Sequence, residues 1–189
     1  MKMISSQTIG GANGFETPLQ PGSPPQGVPT YAYTLKAAFQ GPYLQFSYDP
    51  APPPPAGAVD GALVMYVRED CRIELSLDPG IDWYFPGDPI YLVSSTGAHI
   101  PDIADRYFDL QPSPLPRKCR TISFFAKKLV DPYDPSRKIA NTDRINILVA
   151  LNQYLRDGVT VSDEPLYLLI DPDIKNPGDD TQGIVLASL

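Results

Sequence analysis

Twenty-three prolines run through a chain of 189 residues, about 12% of the total, where a soluble domain usually holds roughly 5%. Each proline removes a backbone donor and fixes φ. A helix interior tolerates that badly, whereas turns, strand ends and edge strands accept it. A chain punctuated this often is expected to fold from many short strands joined by turns. Its length suits one domain, or one domain with an arm, and a globule of this size buries about 70% of the surface its unfolded chain exposes. The hydrophobic fraction of 42% is ordinary for a soluble protein and is enough for a core.

Apolar alternation places the strands. "CRIELSL" (71–77) puts Cys71, Ile73, Leu75 and Leu77 on one face and Arg72, Glu74 and Ser76 on the other. "YTLKAAF" and "YLQFSY" flank Gly41-Pro42 and read as a hairpin. "ALVMYV" (62–67) is apolar on both faces, and further strands are expected at 90–94, 120–129, 165–170 and 183–189. "DRINILVALNQYLRDG" (143–158) supports two readings. Asp143 and Gly158 would cap a helix, but Ile145, Ile147, Val149 and Leu151 alternate as in a strand, and the closing Asp-Gly is a hairpin signal. The strand is favoured. "PDIADRYFDL" (101–110) suits a short helical turn with Ile103, Tyr107 and Leu110 on one side. Residues 1–30, rich in Gly, Pro, Ser, Thr and Gln, read as a flexible or extended arm. The expectation is an all-β, antiparallel sandwich, Ig-like or jelly-roll-like, over residues 31–189.

The formal charge of −7 offers no basic stripe, so nucleic acid is not an expected partner. The short clusters "PRKCR" and Lys127-Lys128 read as solvated surface. No segment approaches the apolar length of a membrane-spanning helix. "MKMISSQTIGGANGF" has no apolar core of a signal peptide, so a cytoplasmic chain with reduced thiols is expected.

Residues able to carry chemistry are sparse. His99 is the one histidine, so a multi-histidine metal centre is excluded; a triad with Asp102 is the remote alternative. Cys71 and Cys119, with Trp83 between them, follow the Cys…Trp…Cys order of immunoglobulin domains. Parity sets Cys119 on the face opposite Ile122, Phe124 and Ala126, so free thiols are expected. "GGANG" (10–14) lacks the strand and the lysine of a phosphate loop.

The acids of "EPLYLLIDPDIKNPGDD" (164–180) are the sharpest question. Asp171 and Asp173 fit a calcium loop, but Lys175 takes the third ligand position and Gln182 the twelfth, so the match fails. Asp171-Pro172 reads instead as a strand end and "NPGDD" as a turn, with metal binding by Asp171 and Asp173 kept as the alternative. The same stretch resembles the C-terminal signature of the uncharacterised bacterial DP-EP family, small proteins in which Asp-Pro and Glu-Pro recur. That resemblance implies a β-sandwich with no established activity and no catalytic residues to carry over.

The expected function is therefore a non-enzymatic binding or assembly module without a cofactor, with a protein partner or a second copy as its counterpart. Aromatics near turns support it: Tyr43, Tyr48, Trp83, Tyr84, Phe85, Tyr107, Phe108 and Tyr133. The candidate ligand-binding residues are Trp83, Tyr84, Asp82 and Asp88. The alternatives are a carbohydrate- or small-ligand-binding sandwich, or a carboxylate-dependent hydrolase using Asp82, Asp88, Asp102 or Asp105.

Overall fold

The computed structural model of the protein describes residues 16–41, 43–50, 63–93, 103–130, 133–136, 138, 141–153, 158, 161–162 and 164–176. The expected strand at 183–189, the His99–Asp102 loop, most of the proline run at 49–57 and the Asp179-Asp180 turn lie outside them. Within the described residues the chain forms β1 (Glu16–Pro18), β2 (Thr30–Gln40), β3 (Tyr43–Asp49), β4 (Val64–Tyr66), β5 (Cys71–Leu77), β6 (Trp83–Tyr84), β7 (Ile90–Val93), β8 (Tyr107–Gln111), β9 (Thr121–Ala126), β10 (Asn141–Leu151), β11 (Leu166–Ile170) and β12 (Asp173–Asn176). The 143–158 ambiguity resolves as strand as far as Leu151, and residues 154–157 lie outside the described residues. Residues 103 and 104 do make a helical turn, but Tyr107 and Leu110 belong to β8. No helix among the described residues is long and apolar enough to cross a membrane.

Two sheets form a sandwich. The first runs β1-β7-β10-β12-β4, with β11 and β6 also on β10; the second runs β3-β2-β5-β9-β8. β11 and β12 lie along the same side of β10 without a register shift, Ile147 opposite Ile170 and Arg144 opposite Asp173. They are one strand interrupted where Pro172 has no N–H to return, although its carbonyl still accepts from Ile145 N at 3.3 Å. On the other side of β10, β6 and β7 are offset. The seven residues from Tyr84 to Ile90 span only four of β10, from Ala150 to Ile147. The surplus forms an excursion from Phe85 to Asp88, pinned where Phe85 N donates to Cys119 O at 2.7 Å and ended where Leu148 N donates to Pro89 O at 2.7 Å. Each sheet therefore has five lanes.

The sheets depart from the expected all-antiparallel pairing in two places, since β2 pairs β5 and β12 pairs β4 in parallel. The cause is the order of crossings. The β2–β3 hairpin turns at Gly41, whose φ of 61° favours glycine. The chain then visits the first sheet as β4 before returning on the free side of β2, so β5 runs in the same direction as β2.

Alternation delivers the core as expected. Cys71, Ile73, Leu75 and Leu77 are each at most 3% exposed and face Ile145, Ile147 and Val149 of the opposite sheet within one cluster. Each such side chain contributes about 1.5–3 kcal/mol by leaving water. Tyr48, Trp83, Phe85 and Tyr107 belong to this core too, so half of the aromatics expected near exposed turns are interior; Tyr133, by contrast, is 98% exposed. The Tyr48 hydroxyl is buried without a hydrogen-bond partner.

From Glu16 the stretch before Tyr31 is docked. β1 pairs the edge of β7, Gln20 O accepts from Asp109 N at 2.8 Å, and Pro29 O accepts from Arg72 N at 2.8 Å. The segment thus passes from one sheet to the other. Midway, Gly22 lies so close to the Phe108 ring that a Cβ would land on it, and Phe108 in turn packs on Phe125 at 4.9 Å. Gly22→Ala is expected to cost about 1–3 kcal/mol by overpacking. A melting temperature equal to wild type would show that the arm does not hold Phe108.

Cys71 and Cys119 are both buried and free, although Cys119 joins the core cluster of Ile122, Phe124 and Ala126 instead of taking the opposite face that parity predicts. Cys71 sits opposite Ala126 at one end of the β5–β9 ladder, whereas Cys119 precedes Thr121 at the other, opposite Ser76. Five residues of strand separate those ends by about 17 Å, far beyond the Cα separation a disulfide spans. Burial, with Glu69 and Asp70 nearby, pushes the Cys71 thiol up to about 12. Thiol titration at pH 8 is expected to find neither cysteine in the native protein and both after denaturation without reductant; rapid native labelling would contradict this placement.

Candidate functional site

Of the four expected site residues, Asp82 and Tyr84 lie beside one another, whereas Trp83 turns into the core. Trp83 points inward, is 2% exposed, donates from Nε1 to Asp78 O at 2.9 Å and stacks near Phe46 at 6.4 Å. Its neighbour Tyr84 faces outward because successive strand residues alternate. Asp82 lies at the end of β10, where its carbonyl accepts from Asn152 N at 2.9 Å and its carboxylate from Asn152 Nδ2 at 2.8 Å. Asp88 stands apart on the excursion and is exposed. Trp83 is therefore corrected from ligand surface to core: an indole this large, placed on the inward parity of β6, fills the interior.

Tyr84 marks a more extensive feature. On the outer face of the first sheet it shares a row with Ala150 and Tyr167, the next outward pair along β10 being Leu148 and Leu169. Tyr91, opposite Asn146, continues the face across β7 towards Pro18 of β1. Ala150 is 0% and Leu148 7% exposed between half-buried Tyr84, Tyr167, Leu169 and Tyr91. Burial, then Tyr167 and Asp82 beside it, push the Tyr84 phenol up. The small Ala150 lies between two rings, with the leucine pair next along the strand.

The outer face of the second sheet has the opposite character. Arg72, Glu74 and Ser76 of β5 lie between Thr30, Ala32 and Thr34 of β2 and Phe125, Ser123 and Thr121 of β9. Ser76 and Thr121 hydroxyls meet at 2.9 Å and Lys36 pairs Asp49 at 2.5 Å. Phe125 is the apolar exception and is covered by Phe108. A solvated sandwich face ordinarily looks like this one.

A polar cluster that the sequence reading missed lies between the sheets. Asp143, 0% exposed, accepts from Arg106 Nη2, Tyr107 OH and Asn141 Nδ2, each at 2.7 Å. Asn176 Nδ2 donates to Tyr107 OH at 3.2 Å, and Asn176 Oδ1 accepts from Leu129 N at 3.2 Å. Burial, then the Asp143 charge, push the Tyr107 phenol far up. Arg106 and Tyr107 come from the start of β8, and the others from β10 and β12, so the network bolts one sheet to the other. Arg106 Nε is buried without a hydrogen-bond partner among the described residues.

Asp171 ends β11 as expected, but Asp173 opens β12 rather than closing a strand; its N donates to Leu63 O at 2.9 Å and its carboxylate lies 3.9 Å from Arg144 Nε. Among the described residues no three His, Cys, Asp or Glu side chains gather where a metal ion would be held. Asp105 is exposed, and the concavity that Asp88 lines includes neither Asp82 nor Asp105. No family model and no curated protein matches the chain.

Proposed function

We propose that the chain is a non-enzymatic assembly module that pairs with a second copy of itself through the outer face of its first sheet. One observation carries this reading: the Tyr84–Ala150–Tyr167 row with its adjoining Leu148–Leu169 pair, on the face where an ordinary sandwich strand turns polar. A two-fold interface uses the same patch on both copies, and this row offers rings and leucines side by side to meet their counterparts. Tyrosines supply contact area while keeping a hydroxyl for water or a partner. The burial of Trp83 removes the stacking surface on which a carbohydrate-binding reading leans. Two free thiols that cannot reach one another suit a reducing compartment such as the cytoplasm.

Sedimentation velocity over a micromolar to millimolar series tests the proposal. The expected result is a reversible monomer–dimer equilibrium that Tyr84→Lys or Tyr167→Lys shifts to monomer, while Glu74→Lys on the other face leaves it unchanged. A monomer throughout the series, or a dimer indifferent to both tyrosine substitutions, would overturn it.

A further inference from the structure

A concavity lies apart from the tyrosine face, where separate segments of chain meet. Leu19 and Pro21 form one wall, Gly87 and Asp88 of the excursion a second, and the end of β8 with Pro112–Leu115 the rest, around about 460 Å³. Small-molecule sites occupy roughly 300–1,000 Å³. The lining is largely leucine and proline, with two carboxylates and no lysine, arginine or histidine.

Local backbone brings both acids there. β8 is irregular between Phe108 and Gln111, and Asp109 sits within that bulge at φ 59°. A bulge re-aims its side chain, and aspartate is among the few residues that accept the left-handed region. Asp109 is already engaged, by Arg72 Nη2 at 2.5 Å and Gln111 Nε2 at 2.9 Å. Asp88 makes no hydrogen bond or ion pair among the described residues. The excursion that carries it exists because β6 and β7 are offset on β10.

We infer that this cleft binds a small organic cation, a protonated primary amine on a short aliphatic stem. The ammonium sits at Asp88, and the stem lies against the leucine and proline walls. The Asp109–Arg72 pair fixes the floor without offering a competing cation at the surface. Walls from separate segments border a volume on the scale of a small molecule, which suits a free amine. The net charge of −7 attracts cations at long range.

The test is an NMR titration of the full chain with n-pentylamine, following the backbone amides of Gly87, Asp88, Leu110, Gln111 and Leu115. Saturable shifts at millimolar amine are expected, weakened about fivefold in Asp88→Asn, the scale of an exposed ion pair. They should be absent with 1-pentanol, which keeps the stem and drops the charge. Asp88→Glu should retain binding, so a lost fold and a lost charge can be told apart. Four outcomes would overturn the inference: no saturation; equal binding of pentanol; the same shifts from calcium or magnesium alone; or tighter binding of an acetylated, amidated Gly-Lys-Gly peptide than of the free amine.

Discussion

Asp143→Ala is expected to destabilise the fold by about 3–5 kcal/mol, the scale seen when one partner of a buried ion pair is removed. For a chain of this length that corresponds to a fall in melting temperature on the order of 10 °C. The cost comes from what is left behind. Arg106, whose side chain is 10% exposed, would keep its charge without the carboxylate, and Tyr107 OH and Asn141 Nδ2 would lose their acceptor. The Arg106→Met/Asp143→Leu double variant should therefore be more stable than Asp143→Ala alone, because it removes both charges and keeps the volume. Urea unfolding of the three proteins checks this. If Asp143→Ala costs less than about 1 kcal/mol, the network is not holding the sheets together.

Trp83→Ala is expected to cost about 3–5 kcal/mol, as for large aromatics truncated in a core. Tyr84→Ala, one residue along, should cost less than about 1 kcal/mol in a dilute, monomeric sample. The contrast arises from parity: the indole fills space against Phe46 and satisfies Asp78 O, whereas the phenol lies on the outer face. Equal costs in chemical denaturation would mean that β6 does not alternate as described.

Alternation made the sandwich legible in the sequence. A period of two in "CRIELSL" fixed which side chains of β5 enter the core, because a single-residue slip would invert every one of them. Prolines marked the breaks, and Pro172 shows how literally: it splits one strand into β11 and β12 by withholding a single donor. Parallel pairing was not legible, because it depends on the order in which the chain visits the two sheets. The role of Trp83 was misread for a related reason. Proximity to a turn in sequence says nothing about which face of a two-residue strand a side chain takes. Asp143 was visible only as a helix cap or a strand residue, since two of its three side-chain donors, Arg106 and Tyr107, lie more than thirty positions away. The tyrosine face did leave a trace. "ILVAL" and "LYLLI" are apolar at both parities, which accords with the proposed use of that outer face.

The most direct test of that use is an isotope-filtered NOE experiment on an equimolar mixture of labelled and unlabelled chain at millimolar concentration. Intermolecular NOEs from the Leu148 and Leu169 methyls to the rings of Tyr84 and Tyr167 are predicted. Intermolecular NOEs confined to the Arg72–Glu74–Ser76 face, or none at all with the chain monomeric, would contradict the account.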